Sequence, residues 1–201
     1  MTEPLVQCAP GEPEAGSMLR LRGDIAIWVV IAAELATFAL LFLSYAFARV
    51  RQRAVFDASQ ATLDLHSGAL NTALLITGSW CVARAVHALR ADATRAGVRW
   101  LAAAIACGAG FIALKTVELA GKFAAGYDLS TNTFYMFYFL LTAFHYLHVV
   151  AALLFLVLVL VRARQYAYSS RDCHVPETAA AFWHMVDLLW LVLFPLVYVM
   201  R

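Results

Sequence analysis

Apolar residues dominate the chain in five long stretches, at about 24–47, 69–89, 99–120, 133–161 and 179–200. Each is long enough to cross a hydrocarbon layer, which takes about 20 residues of helix. Between them lie short polar connectors, the longest at roughly 48–68. No internal repeat stands out. The pattern predicts an all-α polytopic membrane protein, a bundle of five transmembrane helices formed by residues 23–201. Residues 1–22 are polar and rich in Pro and Gly. They read as a mobile cytoplasmic tail with no cleavable signal peptide.

Composition sharpens this picture. Of 201 residues, 63% are hydrophobic and 14% charged, with a formal net charge of +2. A soluble domain carries about 25% charged residues. The small net charge and the position of the arginines at span ends exclude a nucleic-acid-binding surface. Arginine placement also predicts orientation. Nine arginines fall on the N-terminal side (20, 22, 84, 90, 95, 99, 162, 164 and 171). Five basic residues fall on the other (Arg49, Arg51, Arg53, Lys122 and Arg201). The N-terminus is therefore expected in the cytoplasm and the C-terminus in the periplasm, in a bacterial-type inner membrane.

The four cysteines (Cys8, Cys81, Cys107, Cys173) form no C-x-x-C pair, and Cys173-His174 lacks the upstream cysteine of a haem-attachment motif. Leu5-Val6-Gln7-Cys8 has no apolar stretch before it and does not read as a lipoprotein site. In the third span Ala102, Ala106 and Gly110 recur at intervals of four, a spacing that suits close helix packing. Phe134, Tyr135, Phe137 and Tyr138 open the fourth span and read as an interfacial aromatic belt, with Trp28, Trp183 and Trp190 in similar anchoring or packing roles.

Polar groups inside the spans carry the chemistry. Ionisable side chains in hydrocarbon cost about 2.5–3.5 kcal/mol on insertion scales, so each needs a partner or a purpose. Glu34 lies mid-way along the first span, His145 and His148 in the fourth, His184 and Asp187 in the fifth. The last two pairs are each spaced i, i+3, on one helical face. At 1.5 Å rise per residue, Glu34, His148 and Asp187 fall at similar depth and are expected to bond one another or His184. Three readings fit the set. It is a packing network that fixes helix register, a metal site of His and carboxylate ligands, or a proton-handling group. The absence of paired Glu-x-x-His helices argues against the second. Lys115 and Glu118, also i, i+3, read as an ion pair near the outer interface, with the lysine snorkelling.

Several of these segments resemble subunit III of the haem–copper oxidase superfamily. Thr142-Ala143-Phe144-His145-Tyr146-Leu147-His148-Val149 is similar to the family's penultimate helix, and Trp183-His184-Met185-Val186-Asp187-Leu188-Leu189-Trp190 to its last. Glu34 falls where the family has a carbodiimide-reactive membrane glutamate. Leu70-Asn71-Thr72 and Glu118 resemble further family positions. The resemblance covers about 23–200 and omits the first two helices of the seven-helix form, which leave a lipid-filled cleft in the family. Among five-helix members, Gly23–Trp28, Leu70–Trp80 and Thr131–Tyr138 look most like the NorE-type accessory protein of nitric oxide reductase.

What the resemblance implies is a subunit with no catalytic residue, haem or metal of its own. It would attach to the haem-containing catalytic membrane subunit of a nitric oxide reductase and support its turnover, with structural phospholipid bound alongside. The alternative within the family is subunit III of an oxygen-reducing cytochrome c or quinol oxidase. From other classes, an independent metal-dependent membrane enzyme and a small proton-coupled carrier stand beside it.

Overall fold

A computed structural model describes residues 25–165 and 174–200. The N-terminal tail, Cys8, Cys173 and the arginines at 20, 22, 171 and 201 lie outside the described residues. Those described form six α-helices and a closing π-helical turn, with no strand among them. The helices are α1 (Ile25–Arg51), α2 (Arg53–Gln60), α3 (Leu65–Arg90), α4 (Thr94–Ala124), α5 (Thr133–Arg164) and α6 (His174–Phe194). Five helices are long and apolar enough to span a membrane, α6 being continued to Val199 by the π turn. They run one to two turns beyond several of the apolar windows. Hydropathy registers the hydrocarbon thickness, whereas backbone hydrogen bonding carries the helix on into the interface.

Local chemistry explains the breaks. The backbone N–H of Gln52 donates to the carbonyls of Ala48 and Arg49, and its own carbonyl accepts from Val55 and Phe56. One helix therefore ends and another begins at that residue. Asp64 caps α3 by accepting from the His66 N–H at 3.0 Å, and Asn132 caps α5 from the Tyr135 N–H at 3.0 Å. The α4 terminus is a Schellman motif. Tyr127 N–H reaches Lys122 O and Gly126 N–H reaches Phe123 O, with Gly126 at φ +82°. Pro195 has no N–H for the α-helical ladder. The chain loosens there to a five-residue repeat, closed by Met200 N–H to Pro195 O at 2.9 Å.

The connector at 48–68 holds an element the hydropathy pattern did not predict. Helix α2 is eight residues long and amphipathic, burying Phe56, Ser59 and Gln60. It plugs one end of the bundle. Phe56 packs edge-on against Tyr45 of α1 and Phe134 of α5. Gln60 donates to Val197 O at 2.8 Å, and Ser59 Oγ accepts from Asn132 at 3.0 Å.

The core lies among α3, α4, α5 and α6, and its centre is Trp183. A Cβ placed on Gly78 of α3 would sit 3.1 Å from the Trp183 ring, and one on Gly108 of α4 only 2.8 Å from it. The two glycines form the slot that admits the indole. This corrects the expected small-residue stripe: Ala102 and Ala106 are exposed, while Ala104 and Gly108 face the interior. The aromatic belt is likewise internal. Phe134, Tyr135, Phe137 and Tyr138 are all buried, Phe134 against Phe56 of α2, Phe137 against Tyr45 of α1, Tyr135 against Tyr127 and Tyr138 against Tyr198. Trp183 and Trp190 are core residues, and Trp28 alone of the three is exposed. Helix α1 is the least integrated span and meets the bundle through a narrow stripe of Ile31, Glu34, Phe38 and Tyr45.

Candidate functional site

The polar side chains within the spans gather at three stations rather than one layer. Nearest α2 is a buried charged cluster. Lys115 Nζ donates to Glu118 Oε1 at 3.2 Å and to the Tyr198 hydroxyl. Tyr138 and Tyr198 both donate to the same carboxylate oxygen. Lys115 is fully buried, so it does not snorkel. Its ammonium lies 5.0–5.4 Å from the ring centres of Tyr138, Trp190 and Tyr198. Ring faces and a carboxylate together replace its hydration. The π turn after Pro195 is what brings Tyr198 to this cluster.

Next along the bundle is the ring layer around His145. Its imidazole is wholly buried, 5.1 Å from the Trp190 ring and 5.8 Å from Phe111. Trp190 Nε1 donates to Thr72 Oγ1 of α3 at 2.9 Å. Neither His145 ring nitrogen nor either amide atom of the buried Asn71 has a hydrogen-bond partner. His145 is thus separated from His148, which faces α1.

The third station has two arms. In one, His148 Nε2 is 3.1 Å from Glu34 Oε2, joining α5 to α1. His148 Nδ1 is 2.8 Å from the Phe144 carbonyl and so carries a hydrogen. Nε2 then either donates to a carboxylate or accepts from a protonated Glu34. Either form holds the two helices together through this contact. Phe38 and Phe144 flank the imidazole, at 5.5 and 4.8 Å between ring centres.

In the other arm, Asp187 Oδ2 accepts from Ser79 Oγ at 2.6 Å, and that hydroxyl accepts from Trp183 Nε1 at 3.0 Å. Asp187 therefore bonds α3, not Glu34, His148 or His184. His184, on the same helix, is exposed. The expected single network is corrected to two interhelical links, α1–α5 and α3–α6. Direction around each helix separates these groups. Among the described residues no group of three or more His, Cys, Asp or Glu side chains converges as metal ligands do.

A groove of about 640 Å³ runs between α1, α5 and α6, with Ile27, Phe155, Leu158 and Phe182 among its apolar walls and Arg162 and His174 also lining it. At the same end, Arg90 of α3 pairs with Glu177 of α6 at 2.7 Å.

The amino-acid sequence is matched by known proteins. A family model for cytochrome c oxidase subunit III matches residues 24–201. The chain belongs to the cytochrome c oxidase subunit III family. It is 34% identical over 183 residues to cytochrome c oxidase subunit 3 of Synechocystis sp., covering 90% of this chain and 76% of that one. It is 34% identical over 129 residues to the subunit 3 of Formosania lacustris, where the match spans 64% of this chain and about half, 48%, of the relative. Quinol oxidase subunit 3 of Bacillus spizizenii is 23% identical over 176 residues, 88% of this chain and 86% of that one. As a subunit III family member with five span-length helices, the chain is a multi-pass membrane protein.

Four residues at these stations have roles that the sequence does not show. Ser79 is a single hydroxyl in an apolar run, and only its depth opposite Asp187 marks it. Tyr138 was assigned to the interface, and Tyr198 lies so near the C-terminus that only the π turn reveals its direction. Asn71 was noted for its neighbours Leu70 and Thr72, while its burial follows from α3 packing.

Proposed function

We propose that this chain is the subunit III of an oxygen-reducing haem–copper terminal oxidase. It holds no redox centre of its own, binds the haem-containing catalytic subunit within the membrane, and supports sustained turnover. The observation that carries this reading is the match to cytochrome c and quinol oxidase subunits 3 across nearly the whole chain. The geometry supports it. Within the spans Lys115 pairs with Glu118 and Glu34 with His148, and Asp187 accepts from the Ser79 hydroxyl. Such links fix packing between helices. The groove beside α1 suits a phospholipid, with acyl chains on its apolar wall and a phosphate toward Arg162 and His174.

A second reading, a NorE-type accessory protein of nitric oxide reductase, rests on the segments Gly23–Trp28, Leu70–Trp80 and Thr131–Tyr138. Steady-state consumption of oxygen and of nitric oxide, in membranes with and without the gene, separates the two. The terminal-oxidase reading predicts that loss of the gene lowers the rate or durability of oxygen consumption and leaves nitric oxide consumption unchanged. A defect confined to nitric oxide overturns it.

A further inference from the structure

Helix α6 presents one polar group to the surroundings in a place where lipid cannot serve it. His184 is the eleventh residue of the span His174–Val199, so it lies about 15 Å from the start of the helix at 1.5 Å per residue. It is exposed, and the residues that continue its stripe, Leu188 (54%) and Leu191 (43%), are exposed as well. An imidazole at that depth is too short to reach either interface, unlike a lysine or arginine. Ionisable groups in spans face a protein interior or a cavity, and within this chain His184 faces neither. Asp187, one turn on, interacts with it electrostatically but makes no hydrogen bond to it. Asp187 is turned toward Ser79, and its other oxygen, Oδ1, has no hydrogen-bond partner.

We infer that the α6 stripe of His184, Leu188 and Leu191 is the face on which a transmembrane helix of the catalytic subunit docks, with His184 hydrogen-bonded to a hydroxyl or amide side chain of that helix. This rests on the proposed role as subunit III. The occupant is a helix of another protein because the demand is for one hydrogen bond in hydrocarbon. Acyl chains offer no partner, and a headgroup lies too far away. The flanking leucines supply the apolar contact, and no charge on the stripe opposes an apolar partner. By contrast, the lipid-facing residues of α4, such as Val117, carry no comparable polar group at mid-span.

The test is recovery of haem protein with the tagged full-length chain after gentle detergent extraction from its native membranes. Four variants are compared with wild type: His184→Leu, His184→Gln, Leu188→Trp and Val117→Trp. Wild type is expected to bring down the haem-containing subunit. His184→Leu and Leu188→Trp should lower the haem recovered per chain about tenfold, as loss of one interhelical bond or a blocked face implies. His184→Gln and Val117→Trp should retain it. Each substituted residue is exposed on this chain, and equal amounts of each chain in the membrane verify insertion. Haem recovered equally with His184→Leu and Leu188→Trp overturns the inference while leaving the subunit III role intact. No haem protein recovered with wild type overturns that role.

Discussion

Glu34 and His148 form the one link between α1 and the middle of α5 that involves ionisable groups, at 3.1 Å. Packing and proton delivery are distinguishable roles for this pair, by substitution. Glu34→Gln keeps the shape and a hydrogen bond but cannot ionise. If the pair fixes packing, oxidase turnover with Glu34→Gln stays near that of wild type. If it delivers protons, turnover slows while the complex still assembles. The packing outcome is expected, because Phe38 and Phe144 enclose the imidazole and no chain of further groups leads away from it. Lys115 is the opposite case, a fully buried charge. Lys115→Met removes one partner of a buried pair and should cost about 3–5 kcal/mol of bundle stability. The double variant Lys115→Met/Glu118→Gln should recover most of that, since the amide still accepts from the two tyrosines. Thermal unfolding in detergent measures both. Equal losses in the single and double variants would show that the charge pair is not what the cluster depends on.

Among elements, the contact of α6 with the α3–α4 hairpin depends on a slot for one ring. Gly108→Ala would bring a methyl to 2.6 Å from Leu153 and 2.8 Å from Trp183. Overpacking of this kind costs about 1–3 kcal/mol. Gly121→Ala on the same helix meets nothing within 4 Å and should be neutral or slightly stabilising. A melting temperature lowered by Gly108→Ala and unchanged by Gly121→Ala is the predicted result. The spans themselves were legible in the sequence because apolar length is a one-dimensional property. Helix α2 was not, because eight residues of mixed polarity give no such signal and its burial depends on α1, α5 and the π turn meeting there. The depth of Glu34, His148 and Asp187 could be read, since rise per residue is fixed. Their partners could not, since the rotation of each helix is set by packing around Trp183 and Trp190. Hence Asp187 turned to Ser79, a residue without a motif.

Across the whole molecule, five spans place residues 25 and 200 at opposite ends of the bundle. The arginine bias leads to the expectation of a cytoplasmic α1 start. Reporter fusions should show a cytoplasmic N-terminus and a periplasmic C-terminus, and both on one side would contradict the topology. The loosely held α1 and the polar spot on α6 are features of a protein that completes its surroundings with others. The proposed role as subunit III requires a docked catalytic subunit. It is tested most directly by extracting the tagged wild-type chain in mild detergent and identifying by mass spectrometry and visible spectrum whatever accompanies it. The account predicts the haem-containing subunit of an oxygen-reducing terminal oxidase, in constant ratio to the chain. A chain recovered without haem protein, or one that itself retains a stoichiometric transition metal after chelation, would contradict it.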